Sequence, residues 1–259
     1  MIINPYSFGV PYDADAQAFF TAANITDSTQ KTATNQLVLD LKAAAIWSKM
    51  KAIYPLIGGT ATTHKWNLKN PTDSDPAFRL TFNGGITHDA NGITSNGVNG
   101  YAETYLNDII DLTSDNKSIS MYIRNVLTVG SPMGLIDAFG QVSNRFYPEF
   151  LGDDYSTLGL AQSSRSIAGT QMGFFTMSKS APGSFKYYRP GTSSITVSSA
   201  DEPNFFGTYY LLASNNTIGA EYSVGNLAFA SIQESLNDTE EANFRAAVIA
   251  FETTLSRQV

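Results

Sequence analysis

The chain has no cysteine among its 259 residues, which excludes disulfide staples, thiolate metal sites and a cysteine nucleophile. Histidine is nearly as scarce, with only His64 and His88. Each sits among Thr and Asn residues without a second His or Cys at ligand spacing, which is the setting of a surface loop histidine rather than of a zinc ligand. Charge is thin as well: 15% of residues are charged, against roughly 25% in ordinary domains. The balance is −7 at pH 7 and no Lys or Arg cluster stands out, so a nucleic-acid partner, which needs a basic footprint, is not expected. No apolar run approaches the roughly 20 residues of a membrane span. The opening MIINPYSFGVPYDAD has neither the basic nor the apolar region of a signal peptide. The expectation is a soluble protein, made in the cytoplasm, with no membrane partner.

What is present points to β-structure. The hydrophobic fraction is 42%, with 13 Tyr and 16 Phe, residues that pack well on a half-buried pleated surface. Between Thr81 and Leu106 the turn pairs Gly84-Gly85, Asn91-Gly92, Asn96-Gly97 and Asn99-Gly100 tolerate the positive φ of tight hairpins, so consecutive short antiparallel strands are expected there. Around twelve strands follow from apolar alternation and turn spacing. They are 78–82, 92–94, 101–106, 118–124, 134–139, 146–151, 157–162, 173–178, 185–189, 194–198, 208–214 and 222–231. That many short strands favour a two-sheet sandwich or barrel.

Helices flank this region. One is expected near Ala14–Ala23. A second runs from Ser28 to about Met50, capped by Asp27 with Gln30 three residues on and ending at Pro55 and Gly58-Gly59. The last is the clearest: Asn237 as N-cap, Glu240 at the third position, and Phe244, Val248, Phe251 and Leu255 along one face over 238–256. Ahead of the helices, Pro5, Gly9 and Pro11 keep residues 1–12 extended. Its apolar side chains Ile2, Ile3, Tyr6 and Phe8 are the candidate subunit-contact arm. This divides the chain into an arm and helical collar for attachment or oligomerisation, residues 1–58, and a β domain, residues 59–259.

Chemistry is hard to find. A glycan hydrolase needs two carboxylates about 5–5.5 or 6.5–9.5 Å apart. The nearest pair in one strand, Glu149 and Asp153, is interrupted by Gly152 and followed by Asp154, which makes it a turn. Asp201-Glu202-Pro203 is a loop by its proline. There is no Gly-x-Ser-x-Gly elbow, and Gly84-Gly85 lacks the rest of a phosphate loop. Calcium could be held by Asp73-x-Asp75 or Asp89-x-Asn91-Gly92, although neither fits the twelve-residue calcium loop and both also read as plain turns. No cofactor is required. Loop residues suited to sugar binding are Tyr155, Tyr187-Tyr188, Asn204 and Asn215-Asn216.

Two stretches carry a family resemblance. LVLDLKAAAIWSKMKAIYPLIGGTATTHKWNLKNPTDSDPAFRLTFNGGITHDANGITSNGVNGYAETYLN, Leu37 to Asn107, resembles a segment of tailed-bacteriophage virion proteins, among them those of crAss-like and related phages of Bacteroidetes. LAFASIQESLNDTEEANFRAAVIAFETTLSRQ, Leu227 to Gln258, is similar to the close of those domains and of concanavalin A-like (laminin G-type) jelly rolls. The resemblance is loose from Leu127 to Ser214. It implies a concanavalin A-like jelly-roll sandwich on a phage particle, as a fibre, decoration or tail component of head or tail. It further implies a homo-oligomer, a trimer, bound to other virion proteins and displaying the domain for adhesion to a host surface glycan. The alternative is a carbohydrate-binding module; a hydrolase ranks last, because the E-x-D-x-x-E strand of the glucanase branch is absent. The resemblance assigns no catalytic, sugar or metal residue.

Overall fold

The computed structural model describes residues 11–125, 130–136, 142–146, 156–160, 172–191, 194–198, 204, 206–216 and 219–259. Helices α1 (Ala14–Ala23) and α2 (Ser28–Ala43) come first, then a 3-10 turn at Trp47–Lys49 and strand β1 (Met50–Tyr54). The short α3 (Ala61–His64) leads to β2 (Thr81–Asn83), β3 (Ile86–Asp89), β4 (Gly92–Asn96) and β5 (Tyr101–Asn107). After α4 (Asp108–Asp111) come β6 (Lys117–Ile123), β7 (Met133–Ile136), β8 (Val142–Phe146) and β9 (Thr157–Leu160). Next are β10 (Gly173–Ala181), β11 (Ser184–Tyr188), β12 (Ile195–Ser198), β13 (Thr208–Leu211) and β14 (Ala213–Asn216). The chain closes with β15 (Glu221–Tyr222), β16 (Val224–Gln233) and α5 (Asp238–Thr254).

Among the described residues the strands form two eight-stranded sheets, antiparallel except where β14 meets β7. Sheet A runs β12-β11-β10-β6-β16-β4-β3. Its long β16 pairs with β6 along one edge; along the other it pairs with β4 through Val224–Leu227 and with β1 through Ala230–Gln233. Sheet B runs β15-β14-β7-β13-β5-β2, with β8 and β9 beyond β7. The result is the expected mainly β jelly-roll sandwich with helices at both chain ends.

Two apolar cores hold it. Between the sheets, Ile119, Met121 and Ile123 of β6 and Leu227, Ala230 and Ile232 of β16 join residues such as Leu106, Phe146 and Leu211 of sheet B. On the far face of sheet A, Tyr122, Phe174 and Phe229 meet α1, α2 and α5 through Phe20, Leu37, Phe244 and Phe251. The phenyl rings of Phe174 and Phe244 lie edge to face at 5.3 Å. Sheet A is thus covered on both faces, which is why every residue of β6 is buried and its sequence does not alternate in the half-exposed manner. Among the described residues, none of sheet B enters the second core. The outer face of sheet B is therefore where a site can lie.

Three expectations are revised. Helix α2 ends at Ala43 rather than near Met50: Ala45 turns into the left-handed region with φ 58°, and Met50 starts a strand. Lys49 closes the 3-10 turn beyond that helix, and its ammonium pairs with Glu240 at 2.6 Å. Nor does residue 58 mark a boundary between separate bodies, because β1 belongs to sheet A and α1 and α2 share a core with α5. The collar packs within its own chain. Finally there are more strands than twelve. Beyond the expected ones, β1, β3 and β8 appear, the expected strand 146–151 lies outside the described residues except for Phe146, the run 208–214 breaks at Leu212 (φ 61°) into β13 and β14, and 222–231 divides into β15 and β16.

Candidate functional site

Strand β5 reads YAETYLN, and its alternation decides what faces outward. Ala102, Thr104 and Leu106 are buried while Tyr101, Glu103 and Tyr105 are half-buried on the opposite face. On β13, Tyr209 and Leu211 are buried, and Thr208 and Tyr210 share the outer face. The registers line up Thr81, Glu103, Tyr210, Gly134 and Arg145 as one row across five strands. Gly134 is needed in that row: a Cβ there would stand 2.6 Å from both Arg145 Cβ and Ser214 Oγ.

The Tyr101 and Tyr210 rings stack, with centroids 4.4 Å apart and planes 20° off parallel, and Tyr222 lies 6.2 Å from Tyr101. Burial pushes the Glu103 carboxyl above its usual range, against hydrogen bonds donated by Thr208, the Tyr105 N–H and Tyr210; the Tyr105 N–H donates at 3.2 Å. Burial likewise raises the Tyr210 hydroxyl, with the Glu103 charge adding to it. Tyr105 donates to Thr81 Oγ1 at 2.9 Å beneath the Arg79 guanidinium, 5.8 Å from its ring. Arg79 in turn holds Asp75 at 2.8 Å, and Arg145 holds Glu221 at 3.0 Å. The face therefore combines flat aromatic surface with hydroxyls, a buried-side carboxyl and two arginines whose charges are matched.

Of the residues singled out from sequence, Asp75 and Asn215 border this face through Arg79 and Thr208, and the others among the described residues do not form it. Ile2, Ile3, Tyr6 and Phe8 fall outside the described residues, as do Glu149, Asp153, Asp154, Tyr155, Asp201 and Glu202. Asp73 and Asp75 are taken by Lys65 and Arg79, while Asp89 accepts from the Asn91 N–H at 2.7 Å in a plain Asx turn. Tyr187 is core. Tyr188 donates to Asp238 at 2.7 Å, and Asn215 donates to the Thr208 carbonyl at 2.9 Å. Tyr101 and Glu103 had a signal only in the Tyr-Ala-Glu-Thr-Tyr alternation of β5, while Tyr210 and Tyr222, on β13 and β15, had none that joined them to it.

The histidines are also corrected. His64 is 1% exposed and its Nδ1 lies 3.0 Å from His88 Nδ1, because α3 packs beside β3. The Gly59 N–H donates to His64 Nε2 at 3.1 Å, which places the His64 proton on Nδ1 and makes His88 the acceptor. A metal on both Nδ1 atoms would need a proton at Nε2 of His64, where Gly59 already donates. Among the described residues no group of three or more His, Cys, Asp or Glu is arranged to hold a metal.

No family model and no curated protein matches the chain. Among solved structures it is similar to domain 4 of AbnA, a GH43 extracellular arabinanase from Geobacillus stearothermophilus, solved in complex with arabinotriose. The TM-score is 0.52 at 14% identity, covering 77% of this chain and 98% of that one. It is also similar to a mutant of Trypanosoma rangeli sialidase displaying trans-sialidase activity, with TM-score 0.52 at 11% identity over 92% of this chain. The match spans 39% of that sialidase. At such identities the likeness establishes a shared β-sandwich fold.

Proposed function

We propose that the outer face of sheet B binds carbohydrate and that the chain serves as a non-enzymatic glycan-recognition module. The support is the Tyr101–Tyr210 stack, extended by Tyr222, with Glu103 and Arg145 in the same row. A sugar ring offers an apolar C–H face and a rim of hydroxyls. Tyrosine presents an apolar body with a polar tip, and the carboxyl and guanidinium supply directed acceptors and donors. Hydrolysis would need a second carboxylate at defined separation from Glu103; Asp75 and Glu221 are each held by an arginine. The arabinanase domain solved with arabinotriose shares the fold, which makes arabino-oligosaccharides the first ligands to try.

Display on a phage particle, as a trimer attached through Ile2, Ile3, Tyr6 and Phe8, is proposed as the setting on the sequence resemblance alone. Binding is tested on a glycan array and by calorimetry with arabino-oligosaccharides, with and without Ca²⁺. The expected result is a glycan bound by the wild type and weakened about 30-fold or more in Tyr210→Ala, the scale of losing a central aromatic anchor, while the circular dichroism stays native. An array with no signal, or a bound glycan indifferent to Tyr210→Ala, would overturn the site. Turnover of any polysaccharide would overturn the non-enzymatic reading.

A further inference from the structure

At the end of the sandwich away from the histidines, the first residue of β6 carries its amine into the protein. Lys117 is 3% exposed, and Asp108 and Tyr209 are fully buried. The Lys117 ammonium lies 3.0 and 3.1 Å from the two Asp108 carboxylate oxygens and 2.9 Å from Oδ1 of Asn204. Asn204 is fixed by its own amide nitrogen, which donates to the Asp108 and Leu112 carbonyls. Tyr209 donates to Asp108 Oδ1 at 2.7 Å. A buried amine, a half-buried carboxamide and a buried carboxylate that touches the amine are thus held together.

We propose that Lys117 and Asn204 form an isopeptide cross-link, with Asp108 as the proton carrier. Asp108 takes a proton from the ammonium, and the freed amine attacks Cγ of Asn204, forming the new C–N bond. Asp108 then returns the proton to Nδ2. The Cγ–Nδ2 bond breaks, ammonia leaves, and the remaining Lys117 proton passes to Asp108 as the carbonyl re-forms. No oxidant or cofactor enters this balance. The two backbone carbonyls that now receive Nδ2–H favour the positive charge that nitrogen gains before it departs. Burial, with the like charge of Lys179 nearby, holds the Lys117 ammonium below its usual range, which eases its conversion to the nucleophilic amine. The finished bond joins sheet A to the segment entering β13 of sheet B, across 87 positions of sequence.

The test is the mass of the intact, denatured full chain, followed by fragmentation of its digest. The expected result is a loss of about 17 Da, one ammonia, and a branched peptide linking Lys117 to Asn204. Succinimide at any of the Asn-Gly pairs would lose the same mass, so Lys117→Arg and Asp108→Asn are measured beside the wild type. Both should carry the full sequence mass, since arginine keeps the cation but not the reactive amine. A wild type at full mass, a deficit that persists in Lys117→Arg, or a loss of about 18 Da, which is water and would make Asp108 the acyl partner, each overturns the proposal. The branched peptide is read from the wild type itself, so the result stands even where a variant fails to fold.

Discussion

His64 shows how one buried side chain can set a pH dependence. Its imidazole is held down to about 3, first by burial, then by the His88 and Arg257 charges, and His88 is lowered by burial as well. The pair is tied Nδ1 to Nδ1 with one shared proton, so a second proton would place two N–H groups head to head. In the unfolded chain both rings titrate near 6.5. Between about 6.5 and 3 the unfolded state therefore binds protons that the folded state refuses, and stability falls with acidification. The contribution is complete above pH 6.5 and is lost progressively below it, at up to about 1.4 kcal/mol per pH unit for one ring. Denaturant titrations at pH 7.5, 5.5 and 4.5 should show the wild type losing about 1 kcal/mol per unit more than His64→Gln. Coincident slopes would mean that the pair does not carry this dependence.

Among the elements, α5 was the most legible and its anchorage the least. Asn237 and Glu240 form the expected capping box: the Asn237 side chain accepts from the Thr239 and Glu240 N–H groups at 3.0 Å, and Glu240 returns the bond to the Asn237 N–H at 2.9 Å. These contacts are local, three residues apart, and sequence spacing reveals them. Arg257 reads in the sequence as a cation at the helix exit, yet it is 2% exposed. It is bound to Glu252 at 2.8 Å and donates to the carbonyls of Leu56, Pro55 and Ala228. Two of these carbonyls lie some 200 residues away and leave no periodic trace, and neither does the end of α2, where no glycine or proline marks the turn at Ala45. Replacing Arg257 by Met would strip a fully buried Glu252 of its counter-charge, so a loss of about 3–5 kcal/mol is expected. Glu252→Gln in the same chain should restore some of it. Melting curves of the single and double variants decide this: a double variant no more stable than Arg257→Met would show that the cost lies in the lost carbonyl contacts instead.

For the whole molecule, the sequence conveyed two sheets and a helical start but not the way they stack. Turn spacing and alternation count strands; they do not say which strand lies beside which. Tyr101, Tyr210 and Tyr222 were for that reason visible only as separate tyrosines. The same blindness set residues 1–58 apart as an arm and collar for attachment or oligomerisation. In the fold, α1 and α2 share the second core with α5, the helix whose Phe244 and Phe251 lie against Phe174 and Phe229, and β1 satisfies the free edge of β16 from Ala230 to Gln233. A chain beginning at residue 59 would lose the α1 and α2 side of the second core, uncovering apolar residues that it buries, and leave an unpaired apolar strand edge, the combination that promotes edge-to-edge aggregation. Such a chain is expected to be insoluble, or to bind a hydrophobic dye and melt without a cooperative transition. Cooperative unfolding of the 59–259 chain within a few degrees of full length would show instead that the sandwich is closed without its helical layer, and that α1 and α2 are free to serve a partner.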